Sequence, residues 1–126
     1  IINALNIIKP PFNVNKFAQL CAMEALSDSK FISKSVKHNY FWAKKVKKEV
    51  ERFNINTNSV SANFLLLNFN KCKLTAAEVN RKLQKNGLIL RETKIYGIKN
   101  SLRITIGNSK ENKIFIKKLK TIFKNV

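Results

Sequence analysis

Residues 101–112 read SLRITIGNSKEN. Leu102, Ile104 and Ile106 alternate with Arg103 and Thr105 at the two-residue period of a strand, Gly107 ends the run, and Asn108 or Ser109 can cap a following helix. In that helix Phe115, Leu119, Ile122 and Phe123 share a face, while Lys113, Lys117, Lys118, Lys120 and Lys124 look outward. A strand turning directly into an amphipathic helix predicts a sheet with helices packed on it rather than a helical bundle.

Working outward, Gly97 to Asn100 supplies turn residues before this strand, and residues 88–92 (LILRE) form another that pairs with it antiparallel. Upstream, Thr75-Ala76-Ala77-Glu78 has the spacing of a capping box, and Asn86-Gly87 offers a left-handed stop, which brackets a short helix. Residues 62–69 (ANFLLLNF) form a buried strand. Ile32, Val36, Tyr40, Ala43, Val46, Val50 and Phe53 step by three and four, giving one long helix over 29–53, with Phe41 and Trp42 off the stripe. Asn13 or Asn15 caps an earlier helix, 15–27, with Phe17, Leu20, Met23 and Leu26 on its apolar side. Pro10-Pro11 forces an extended approach, so residues 1–9 read as a tail or linker. The fold class is α+β: a three-stranded, mostly antiparallel sheet covered by about four helices. Expected core members are Ile32, Val36, Tyr40, Phe64, Leu66, Leu83, Ile104, Ile106, Phe115 and Leu119.

A chain of 126 residues fits one domain with one core. No apolar run is long enough for a transmembrane helix, so no membrane is expected. The formal charge of +18 raises a polyanion partner, and a small basic module that binds RNA is the alternative from another class. Against it, 21 of the 25 basic residues are Lys, whereas Arg is the better fork for phosphate and base edges; nucleic acid is not the expected partner. Cys21 and Cys72 are too few for a disulfide scaffold and lack metal-site spacing, which fits a reducing, cytoplasmic setting with no metal. His38, alone in a basic helix, reads as a partly exposed helix residue. The glycines at 87, 97 and 107 are too far apart to cradle a phosphate. What remains is Arg91 and Arg103 on adjacent strands; from composition alone they are as well read as ordinary surface arginines.

Four segments in order, IKPPFNVNKFAQ (8–19), SANFLLLNF (61–69), GLILRE (87–92) and SLRITIGNSKEN (101–112), resemble the C-terminal part of histidinol-phosphate aminotransferases. The resemblance covers nearly the whole chain, and its last segment is the most specific. It implies the C-terminal small domain of a fold type I, pyridoxal-phosphate-dependent enzyme: residues 1–12 as the linker from a missing N-terminal large domain, and 13–126 as the small domain. The parent would be a homodimer that moves an amino group between histidinol phosphate, or a related amine or amino acid, and 2-oxoglutarate. By the same resemblance Arg103 binds an α-carboxylate, Arg91 holds the substrate's phosphate end, and Asn63 lies beside them, with pinning a strand as its alternative role. Other class I/II members share the Arg-Ile-Thr-Ile-Gly strand, among them aromatic, aspartate and phosphonate aminotransferases and threonine-phosphate decarboxylases. A stand-alone regulatory domain is a further alternative. The family's Schiff-base lysine, expected upstream of Pro10 in a Ser-x-Lys segment, is not in this chain. The resemblance therefore implies pyridoxal phosphate in the full-length enzyme, no catalytic residue in this piece, and no cofactor for the isolated chain. The opening Ile1-Ile2-Asn3, without Met, likewise reads as a piece of a longer sequence.

Overall fold

The computed structural model describes residues 1–10 and 12–124, so Pro11, the second proline of the expected extended approach, lies outside the described residues. The chain divides into two compact units, residues 1–35 and 36–126. In the first, the residues read as a tail or linker hold a helix, α1 Ile2–Ile8. Its sequence, INALNII, holds no breaker, and the helix stops at Lys9, whose φ of −69° and ψ of 126° are the extended geometry that a proline imposes on the residue before it. Helix α2, Lys16–Ser27, opens on Asn15, whose side-chain oxygen accepts the Ala18 N–H at 2.8 Å. Asp28 does the same for α3, Ser29–Glu51, accepting the Phe31 N–H at 2.9 Å. None of the described residues before Val36 is buried, so the expected core residue Ile32 is exposed.

The second unit holds a four-stranded antiparallel sheet in the order β1-β2-β4-β3: β1 Asn56–Thr57, β2 Phe64–Asn68, β3 Arg91–Glu92 and β4 Ser101–Thr105. The expectation of three strands misses β1, a two-residue edge strand of polar residues that carries no alternation. Because β2 and β3 each run antiparallel to β4, they are parallel to one another. They are joined through α4, Ala76–Gln84, with β4 inserted between them.

Strand parity sorts the sheet's two faces. Leu65 and Leu67 of β2, with Leu102 and Ile104 of β4, join one core with Val79 and Leu83 of α4 and with Phe115 and Leu119 of α5, Ser109–Lys124. Leu66 and Phe64, expected in that core, are half-buried on the opposite face. Three consecutive leucines leave the parity open, and Asn68, in step with Phe64 and Leu66, is the polar residue that marks theirs as the outer side. Helix α3 also departs from its expected stripe. Val36 and Tyr40 are exposed, and burial begins at Trp42 and continues through Ala43, Val46 and Val50. The indole N–H of Trp42 donates to the Ser109 hydroxyl at 3.1 Å, which draws it inward, while neighbouring Phe41 stays 58% exposed.

Local bonds secure the ends of these elements. Thr75 and Glu78 form the expected capping box at α4, the Thr75 N–H donating to the Glu78 carboxylate at 2.8 Å. Gly87, at φ +74°, closes the same helix, its N–H reaching the Gln84 carbonyl while the Leu88 N–H reaches that of Leu83. At α5, Asn108 accepts the Glu111 N–H at 3.0 Å and the Glu111 carboxylate accepts the Asn108 N–H at 2.8 Å. The β4–α5 corner is held further by buried Asn112, which both donates to the Gly107 carbonyl and accepts its N–H. Half-buried His38 donates through Nε2 to that same carbonyl at 2.9 Å, tying α3 to the corner.

Leu65→Ala and Leu67→Ala should each cost about 2–5 kcal/mol in a urea unfolding titration, as large-to-small changes in a filled core do, and Leu66→Ala should cost well below that range. An equal loss at all three would contradict the parity. Glu49 offers a second check. Its carboxylate accepts from Lys120 of α5 at 2.7 Å and from Arg52 at 3.3 Å. The Lys120 hydrogen bond does most to hold its pKa below the ordinary carboxylate value; burial opposes this, and the charges of Arg52, Lys120 and Lys48 add to it. A depressed folded pKa stabilises above the unfolded value and is lost as pH falls through the folded one. Glu49→Gln should therefore be less stable than the parent at neutral pH, with the gap closing on acidification below the ordinary carboxylate range.

Candidate functional site

The parity that sends Leu102 and Ile104 inward sends Arg103 and Thr105 to the other face of the sheet. There Arg103 stands opposite Leu66 of β2 on one side and directly opposite Arg91 of β3 on the other. Directly opposed residues of an antiparallel pair project to the same face, so the register brings the two predicted arginines together. Like charges in that position repel, and among the described residues neither guanidinium has an acidic partner. Glu92, next along β3, projects the other way and accepts from the side-chain amide of Asn80 at 2.9 Å.

The two arginines are held differently. Arg103 is half-buried, its guanidinium carbon lies 5.2 Å from the centre of the Phe64 ring, and its Nε is buried with no hydrogen-bond partner. Arg91 is exposed; one Nη donates to the Tyr96 hydroxyl at 2.8 Å, and its guanidinium carbon lies 5.8 Å from that ring's centre. Arg103 borders two hollows. One, of about 340 Å³, is lined by Asn58, Phe64, Leu66, Thr93, Tyr96 and Ile98, and the other, of about 510 Å³, is lined in part by Arg91, Ile89, Thr105, Phe115 and the acidic Glu111, whose carboxylate is engaged by the Asn108 N–H. A basic, partly desolvated face with an apolar floor suits an anion carried on an apolar body, since the guanidinium forks match carboxylate and phosphate oxygens.

Asn63 is exposed, just before β2, and its backbone carbonyl accepts the Ile106 N–H at 2.7 Å. Its backbone thus extends the β2–β4 ladder, and among the described residues its side chain has no hydrogen-bond partner. The residue that sequence reasoning passed over is Tyr96. It lies five residues after Arg91 and just before Gly97, whose φ of +74° ends a one-turn 3-10 helix, Lys94–Tyr96. The sequence signal was an aromatic set beside a glycine stop, close to an arginine.

The chain's 21 lysines are all among the described residues and none is buried. Lys47, one of the two that are half-buried, pairs with Glu51 at 3.4 Å; the other, Lys118, donates to Asn86 at 2.9 Å. No group of three or more His, Cys, Asp or Glu among the described residues is placed to hold a metal, and no described helix is long and apolar enough to cross a membrane.

The chain is 55% identical over 124 residues to a histidinol-phosphate aminotransferase of Pelagibacter ubique, a match covering 98% of this chain and 34% of that protein. It is 37% identical over 122 residues to one from Campylobacter hominis, covering 97% and 33% respectively. The chain thus spans about a third of the length of the curated relatives it matches. Among solved structures, the histidinol-phosphate aminotransferase from Clostridium acetobutylicum shares the fold at a TM-score of 0.80 and 23% identity, over 98% of this chain and 38% of that one. The family model for aminotransferase class I and II matches residues 1–119, and the chain belongs to that family.

Proposed function

We propose that this chain is the substrate-clamping small domain of a histidinol-phosphate aminotransferase, an enzyme that moves an amino group between a phosphorylated amine and 2-oxoglutarate. The observation that carries the reading is the in-register pair Arg91 and Arg103, two guanidiniums on one sheet face with no acidic partner among the described residues. Arg103, half-buried against Phe64, binds the α-carboxylate of glutamate through two parallel hydrogen bonds. Exposed Arg91 takes the phosphate at the far end of the phosphorylated amine. Histidinol phosphate has no carboxylate, so in its half-reaction Arg103 joins Arg91 at the phosphate. Binding an anion between them removes the repulsion that the register imposes, and that relief favours occupancy by a doubly charged group. Asn63 lies at the start of β2 beside this face and is the weaker third member. The reading includes a homodimer, a cytoplasmic setting and a large domain outside this chain.

The family chemistry uses pyridoxal phosphate, which acts as an electron sink once joined to the substrate nitrogen, and its resident lysine must sit in a shielded pocket. The residues present do not fit that group: no lysine here is buried, and each of the two half-buried ones is paired with another side chain on a helix surface. The cofactor belongs, on this reading, to the part of the protein outside this chain, which supplies the clamp alone.

Two measurements test this. The 126-residue chain incubated with pyridoxal phosphate should give no stoichiometric cofactor absorbance and no transfer from glutamate; a stoichiometric band with turnover would sink the assignment. In the full-length protein Arg103→Lys keeps the charge but loses the fork. It should cost the glutamate half-reaction about 2–4 kcal/mol, a factor of about 30 to 1,000 in kcat/KM, while Arg91→Ala should damage the half-reaction with the phosphorylated amine far more than that with glutamate. Parental rates in both half-reactions for both variants would return the arginines to ordinary surface residues.

A further inference from the structure

Arg91 lies on a two-residue edge strand, exposed, facing a second positive charge across the sheet. A long side chain so placed would ordinarily spread over many rotamers and turn away from Arg103. Here the Tyr96 hydroxyl accepts one of its five N–H donors at 2.8 Å and the ring lies 5.8 Å from the guanidinium carbon, which leaves four donors to face a ligand.

Tyr96 is itself held by a built loop. The Tyr96 N–H donates to the Thr93 carbonyl and the Gly97 N–H to that of Lys94, each at 3.0 Å, which closes the turn. The Thr93 side chain is buried, and its hydroxyl lies within hydrogen-bond reach of the carbonyls of Ile98 and Ser101, at 3.0 and 2.9 Å. The turn is thereby fastened to β4, the strand that carries Arg103, so both arginines are referenced to one strand.

From this geometry we infer that Tyr96 is a positioning residue for the phosphate end of the substrate: its hydroxyl fixes the Arg91 guanidinium so that the fork is formed before the ligand arrives. The inference rests on the reading of Arg91 as the phosphate ligand. A hydroxyl that pre-orders the fork lowers the conformational cost of binding without touching the reacting atoms. Its removal therefore raises KM for the phosphorylated substrate and leaves kcat alone.

The test is a double-mutant cycle in the full-length enzyme, using Tyr96→Phe, Arg91→Ala and the pair. Both half-reactions are measured, together with inhibition by inorganic phosphate. Tyr96→Phe keeps the ring and should fold as the parent does. It should raise KM for the phosphorylated amine and the inhibition constant for phosphate about three- to tenfold, with kcat and the glutamate half-reaction within about twofold. In the Arg91→Ala background the same change should add nothing. Tyr96→Phe without effect while Arg91→Ala is damaging overturns the positioning role and leaves the Arg91 reading standing, as do losses that multiply in the pair. An Arg91→Ala enzyme that binds phosphate and the phosphorylated amine as the parent does overturns the Arg91 reading itself, and the role of Tyr96 falls with it.

Discussion

Strand β4 is bonded along both edges, and most of what the second unit does follows from that. Its five residues pair with β2 from Phe64↔Thr105 to Asn68↔Ser101, and with β3 at Arg91↔Arg103 and Glu92↔Leu102. Backbone groups of a central strand have nowhere else to bond, so its register cannot slip without leaving donors and acceptors unpaired. A shift by one residue would exchange Leu102 and Ile104 for Arg103 and Thr105 on the buried side. The apolar core and the guanidinium pair are therefore opposite faces of the same constraint.

Much of this was legible in the chain. The alternation through SLRITIG gave the strand, with Ile104 on its inward side and Arg103 out of step with it, and the Thr75/Glu78 capping box and Asn108, one of two candidate caps, marked two helix starts that the structure bears out. That Arg91 and Arg103 lie on neighbouring strands could be read as well. Their direct opposition could not, because register depends on where a two-residue strand begins. Local pattern also failed where the deciding contact is distant. Leu66 looks as apolar as Leu65, and only the pairing with β4 says which faces the helices. Trp42 enters the core through a bond to Ser109, far along the sequence. Strand β1 exists because β2 has a free edge, a cause its own Asn56 and Thr57 do not encode.

The site shows the same division. Residue type pointed to the arginines, since the planar fork is what Lys cannot supply in a Lys-rich chain. What sequence could not supply was their support: the Phe64 ring beneath Arg103 and the Tyr96 hydroxyl on Arg91 come from a β2 neighbour and a loop whose positions depend on tertiary bonds. The lysines lie along the outer sides of helices and in turns, where water solvates them.

The insertion of β4 between β2 and β3 bears on how the chain is made. The chain leaves the ribosome in sequence order, so β2, α4 and β3 emerge before the strand that joins them. Until Ser101–Thr105 has cleared the exit, β3 has no edge to pair with and β2 has only β1, while Leu65 and Leu67 remain without their partners Ile104 and Leu102. The nascent unit must therefore carry its sticky strands without their central partner until β4 emerges, a stage at which holdase chaperones have the most to protect.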